Sequence, residues 1–321
     1  MTATLETPAR PQYAARVSPH GRRRRRFGDD WPFRRILVVV VALIGAGVML
    51  YPWTASWFSD EAHAGQVTAY VQQVDTMTEA QRADLLEAAR DYNATLPDGP
   101  LRDPYTLNAA GEASEVGDGV AAYRSVLNVG AGGMMGVLDI PELGVELPIY
   151  HGTSDATLAK GIGHLYGSTL PVGGEGTHAV LTGHSGYASA TLLNALVQMR
   201  LGDTFTIRVL GETLTYRVDQ ILTVLPDDTS ALRRVPGEDH VTLITCTPIG
   251  VNSHRLLVRG TRIPTPPEEA EAAQSVRDGV RDAGFPWWAV VAGGVLVGAF
   301  LVTLPLRRRS RGLPRHALES E

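Results

Sequence analysis

Cysteine is almost missing from this chain. Cys246 is the only one in 321 residues, so no intramolecular disulfide can form and any thiol chemistry must run through one side chain. Lysine is nearly absent too, and almost all of the positive charge is arginine, much of it close to the two ends. The formal net charge of −5 gives no reason to expect a nucleic-acid partner. The chain has no visible internal repeat and no CxxC or HExxH spacing. Its scattered histidines, such as His151, His164, His178 and His254, therefore do not read as a metal site, and no cofactor is implied.

Two long apolar runs are present. Residues 36–53 carry no charge and approach the roughly 18 residues that begin to read as a membrane span. Residues 285–304 form a second such stretch. Trp31, Tyr51 and Trp53 sit at the ends of the first run and Trp287 and Trp288 at the start of the second, where aromatic belts are found. Arginines 22–26, 34 and 35 precede the first run, and arginines 307–309 and 311 follow the second. The positive-inside rule then places both termini in the cytoplasm and residues 54–284 outside it. A cleaved signal peptide competes for the first run, with Ala62-His63-Ala64 resembling a cleavage site, but the run exceeds a usual signal core.

These features divide the chain into a cytoplasmic tail (1–35), a transmembrane helix (36–53), an N-terminal helical region (54–132), a catalytic β-domain (133–263), a stalk (264–284), a second transmembrane helix (285–304) and a cytoplasmic tail (305–321). Residues 59–75 and 79–93 read as two helices, the second opened by a capping box of Thr78 and Gln81. Residues 96–131 lose periodicity and read as loop. From residue 133 the chain turns to short β-type runs at 135–140, 146–150, 178–182, 204–209, 213–225, 241–245 and 255–262. Residues 188–199 are the one helix expected among them. Seven or eight short strands in this spacing predict a mainly β domain, a closed antiparallel barrel.

Cys246 ends the run 241–245 and is followed by a turn of Pro248 and Gly250. Nine positions later Arg255 opens the next strand, so a short loop would bring the two side by side. His184 follows the strand 178–182 directly. Each residue has a plainer reading by itself: a lone cysteine is usually small buried packing, a histidine a satisfied structural one, an arginine a surface ion pair. A thiol, an imidazole and a guanidinium at three strand ends are together the equipment of covalent acyl transfer.

The segments TLITCTP (242–248) and GVNSHRLLVRG (250–260), with LTGHSG (181–186) upstream, resemble the sortases, cysteine transpeptidases of the Gram-positive cell surface. Tyr150-His151-Gly152-Thr153, the run GHLYGS (163–168) and the run LPVGG (170–174) resemble the pilus-building class C sortases in particular. The match runs roughly from residue 136 to 262. Ile249, Ser253 and Ser185-Gly186-Tyr187 depart from that class's usual aromatic, threonine and Arg-Gly. The resemblance implies a sortase β-barrel with Cys246 as nucleophile, His184 as acid/base or ion-pair partner, and Arg255 as stabiliser of substrate and oxyanion. It also implies that Asp103-Pro104-Tyr105, in itself only a turn signal, is a lid with Asp103 facing the arginine and Tyr105 facing the cysteine.

The implied substrate is an LPXTG-type sorting signal on a surface or pilin protein, cut between Thr and Gly. The implied acceptor is an amine, from a pilin lysine or a cell-wall precursor. Thr245 and Thr247 flank the nucleophile and are expected to contact substrate. Other readings are a housekeeping or class E-like sortase, a thiol hydrolase, and a non-catalytic membrane-tethered binding barrel.

Overall fold

A computed structural model of the chain describes residues 31–97, 99, 101–105, 119–129, 132–186, 192–267 and 284–304. The arginine run 22–26, Tyr187, most of the stalk and the tail 305–321 lie outside the described residues. The described parts group into two compact units. One holds the chain up to Ala46 together with the chain from Gly293 onward, and the other holds residues 47–292.

Eight strands close into a barrel: β1 (Met134–Ile140), β2 (Val145–His151), β3 (Ile162–His164), β4 (Thr177–Thr182), β5 (Thr204–Val209), β6 (Glu212–Val224), β7 (Asp239–Thr247) and β8 (His254–Ile263). Around the barrel the order is β1-β2-β3-β4-β7-β8-β6-β5. The expected all-antiparallel pairing needs correction, because β2 runs parallel to β3 and β4 runs parallel to β7. Parallel neighbours need a crossover between them. A short helix, α4 (Asp155–Leu158), lies in the first crossover, and the β5–β6 hairpin lies in the second. The three-residue β3 was not expected from sequence. Inside the barrel Phe205 and Tyr216 stack at 5.6 Å, and Gly260 leaves them room, since a Cβ there would lie 2.7 Å from the Phe205 ring.

Outside the barrel, α1 runs unbroken from Trp31 to Thr76. The expected break after residue 53 is absent. Pro52 removes one main-chain donor, but the helix continues through it, with the Thr54 hydroxyl donating to the Leu50 carbonyl at 2.7 Å. The later part of α1 docks on the barrel through Tyr70, whose hydroxyl donates to the Met135 carbonyl and accepts from the Leu210 amide, each at 3.0 Å. Helix α2 (Glu79–Thr95) begins with the expected capping box, both reciprocal bonds being present. Its buried Asn93 clasps Leu170, donating to the carbonyl at 3.1 Å and accepting from the amide at 2.7 Å.

The region expected to be loop contains one more helix, α3 (Val120–Ser125). It is held by the fully buried Tyr123, whose hydroxyl lies 2.9 Å from His164 Nδ1 and accepts from the Gly152 amide. The helix expected over residues 188–199 is, in its described part, a 3-10 turn over Asn194–Gln198. Helix α5 (Trp287–Thr303) carries the second apolar run. Near the middle of α1, the Trp57 ring meets Trp288 edge-on at 6.0 Å and its indole N–H donates to the Gly284 carbonyl.

Candidate active site

The pairing pattern brings three strand ends to one rim. Parallel β4 and β7 finish together, their last paired residues being Thr182 and Ile244. His184 therefore leaves the end of β4 beside the end of β7, where Cys246 sits. Antiparallel β8 starts where β7 finishes, and Cys246 pairs directly with Arg255. The expected side-by-side placement of cysteine and arginine is thus a register position. Gly183 is required here, because a Cβ would lie 2.8 Å from Ile162 Cδ1 and 3.0 Å from Leu193.

The segment 101–105 lies over this rim. Asp103 and Arg255 make a two-point fork, Nε to Oδ1 at 2.9 Å and Nη2 to Oδ2 at 2.8 Å. The remaining guanidinium nitrogen donates to the carbonyls of Asn252 and His254 at 3.1 and 3.2 Å. The Tyr105 ring lies 4.9 Å beneath the Arg255 guanidinium and 5.8 Å from the His184 ring. Its hydroxyl donates to the Gly183 carbonyl at 2.7 Å and lies 2.8 Å from the Thr182 hydroxyl. Beneath it, Leu101 and Tyr105 pack on Leu165, Val180, Leu232, Ile244 and Leu257. The Thr229 hydroxyl and Arg234 guanidinium tie down the strap by donating to the carbonyls of Leu101 and Leu96, each at 2.9 Å.

Under this cover Cys246 is only 8% exposed. Burial pushes its thiol above the ordinary value. Arg255 pulls it down, Asp103 pushes it up again, and the hydrogen bond with Tyr105 lowers it. Burial also pushes the His184 imidazole down, against the attraction of Asp155. Arg255 is desolvated as well, but its bonds to Asp103 leave it firmly charged. In this covered arrangement the thiol and the imidazole are both held neutral. With the carboxylate gone, the guanidinium would be free to favour a thiolate and to bind a carbonyl oxygen.

Thr247 ends β7, paired with His254. Thr245 is turned inward, its hydroxyl donating to the Gly183 carbonyl at 2.8 Å, so here it braces the His184 loop. Sequence reasoning missed the residues of this bracing layer: Thr182, Gly183, Ser185 and Asn194. The histidines with scattered spacing have other partners. His164 and His178 bond the carbonyls of Thr169 and Arg233, and His151 bonds those of Gly133 and Val126. Among the described residues no group of three His, Cys, Asp or Glu is placed to hold a metal ion.

A family profile described as Sortase domain matches residues 138–263. Sortase C-1 from Actinomyces oris, known from a crystal structure, is 46% identical with a TM-score of 0.53, and the match covers 57% of this chain and 99% of that one. The chain belongs to the sortase family. Another solved sortase, sortase C of Streptococcus pneumoniae, described for its catalysis and pilin substrate specificity, is 40% identical with a TM-score of 0.55. That match covers 62% of this chain and 96% of that one. Sortase D of Bacillus subtilis (strain 168) is 30% identical over 131 residues, which is 40% of this chain and 63% of that curated relative. Both of these solved neighbours are named sortase C, the class that the motifs upstream of His184 resemble.

Proposed function

We propose that this sortase is a membrane-anchored cysteine transpeptidase of the pilus-assembly class. The observation that supports this reading best is the double engagement of the segment 103–105, Asp103 on Arg255 and Tyr105 against His184 and Cys246. It covers the three groups that an acyl-transfer reaction needs and leaves the rest of the rim in place.

In this reading the lid first swings away, and Cys246 and His184 form a thiolate–imidazolium pair. The thiolate attacks the carbonyl carbon of the threonine in an LPXTG-type signal. Arg255 holds the oxyanion that develops. The C–S bond forms, the C–N bond to glycine breaks, and His184 gives its proton to the departing amine. A neutral acceptor amine, from a pilin lysine or a cell-wall precursor, then attacks the thioester. The new C–N bond forms, the C–S bond breaks, and His184 takes the amine's proton.

The apolar part of α1 and α5 anchor the chain in this reading. The basic tails lie in the cytoplasm and the barrel outside the cell. The hydropathy of α1 from Phe33 and the apolar composition of α5 support the anchoring. Incubating the full chain in detergent with an LPXTG peptide and an amine, and following intact mass, tests the proposal. A thioester on Cys246 that resolves to a ligated product is the expected result. A folded chain that forms no adduct, with the lid intact or with Asp103→Ala, would overturn it.

A further inference from the structure

The main-chain ladder between β4 and β7 ends below the reactive groups, yet the two segments stay joined past it. Three bonds extend the seam. The Gly183 amide donates to the Ile244 carbonyl at 3.1 Å, the Thr245 hydroxyl to the Gly183 carbonyl at 2.8 Å, and the Ser185 hydroxyl to the Cys246 carbonyl at 2.5 Å. The first two lie on the barrel side of His184. The third lies beyond it, and its acceptor belongs to Cys246 itself. We propose that Ser185 is a positioning residue: its hydroxyl, bonded to the backbone carbonyl of Cys246, sets the separation between the His184 imidazole and the Cys246 thiol.

The role falls to Ser185 because its neighbours His184 and Gly186 have main-chain bonds that point outward. The Leu193 amide donates to the His184 carbonyl at 3.2 Å, and the Gly186 amide donates to Asn194 Oδ1 at 2.6 Å. Gly186 has a φ of 74°, and Ile249 Cγ2 lies 2.7 Å from where a Cβ would stand. Those contacts fix the loop to the 192–198 segment and to the turn after β7. Past Gly183, the Ser185 hydroxyl reaches the main chain of the residue that carries the thiol. Proton exchange between imidazole and sulfur needs hydrogen-bond reach, and a misplacement of about 1 Å costs on the order of a hundredfold. Loss of the Ser185 hydroxyl would leave the outer contacts, and hence the fold, intact while letting the imidazole drift from the thiol.

The inference rests on the His184–Cys246 pairing of the proposed function, but not on any substrate. Its test uses the full chain with Tyr105→Ala to uncover the thiol, in four forms: this parent, and the parent with Ser185→Ala, Ser185→Thr or His184→Ala. Alkylation of Cys246 by iodoacetamide is followed across the acid-to-alkaline range, alongside thermal unfolding. Ser185→Ala is expected to slow alkylation at neutral pH by about tenfold and to move its profile toward that of His184→Ala, because a thiol without its imidazolium partner ionises at higher pH. Its melting temperature should stay at the parent's, and Ser185→Thr, which keeps the hydroxyl, should restore the parent profile.

A Ser185→Ala profile that superimposes on the parent, while His184→Ala differs, overturns the role of Ser185 alone. A shift that comes with lower melting temperature and is not restored by threonine makes the residue merely structural. If His184→Ala itself keeps the parent profile, the pairing is absent and both readings fall.

Discussion

Asp103 and Arg255, 152 positions apart, form a fork of two hydrogen bonds in which neither side chain is more than 11% exposed. The ion pair occupies the guanidinium that a substrate carbonyl would need. It also sets a negative charge beside the thiol. Removal of the carboxylate therefore acts on both access and ionisation. Asp103→Ala is expected to raise the rate of Cys246 alkylation at neutral pH and to shift its pH profile downward. The sign follows from the charges: Asp103 pushes the thiol up and Arg255 pulls it down, so deleting the first leaves the second unopposed. Unchanged alkylation would show that the fork does not guard the thiol.

Cys246→Ala should abolish thioester formation while the barrel keeps its melting temperature, since one small side chain replaces another at the end of β7. Intact mass after incubation with donor peptide reads the first outcome, and calorimetry the second. Any residual adduct would place the nucleophile elsewhere.

The Tyr105 hydroxyl offers a finer test of the lid. Tyr105→Phe keeps the ring against His184 and Arg255 but loses the bonds to Gly183 and Thr182. The Thr182 hydroxyl keeps the Ile244 carbonyl as an acceptor, so the main loss is the bond to Gly183, worth about 1 kcal/mol. Lid opening, read as the alkylation rate, should rise by roughly fivefold, less than for Tyr105→Ala.

Gly183→Ala should cost about 1–3 kcal/mol, because its methyl would meet Ile162 and Leu193 at the point where the chain carries His184 out of β4. Loss of alkylation reactivity is expected in parallel with a lower melting temperature. This contrasts with Ser185→Ala, where the two should separate.

Acid should unfold the domain through its interior histidines. Burial holds His164 and His178 down at about 4, against an ordinary 6.5. Above 6.5 both states carry the neutral ring and no stability is at stake. As pH falls from 6.5 to 4 the unfolded chain binds protons that the folded chain refuses, and stability drains away by up to about 3 kcal/mol for each ring. Urea unfolding at stepped pH checks this, and His178→Gln should shallow the slope.

How far the sequence foretold this arrangement depended on the length of each signal. The strands near 204–209 and 213–225 showed clear runs bounded by Gly211 and by Pro226, and they form β5 and β6. Ile162–His164 is too short to show any period, so β3 stayed hidden, and with it the parallel pairing to β2. The apolar run ending at residue 53 and the helix expected from residue 59 were read as separate, yet α1 passes unbroken through both and through Pro52, because one missing donor does not end a long helix. In the candidate site, Cys246, His184 and Arg255 were legible because each sits where a strand ends. The hydroxyls of Thr182, Thr245 and Ser185 were not, since their partners are set by register between strands distant in sequence.

Because a polypeptide is made from its N-terminus, Asp103 and Tyr105 already exist when β7 and β8 are still to come. The barrel closes only when that last hairpin takes its place between β4 and β6, and the same event delivers Cys246 and Arg255 beneath a cover already synthesised. Cys246 is thus covered as soon as the fold is complete. In the proposed function, a newly folded molecule would therefore start with its thiol covered, and the contacts of Asp103 and Tyr105 are those a substrate would have to displace.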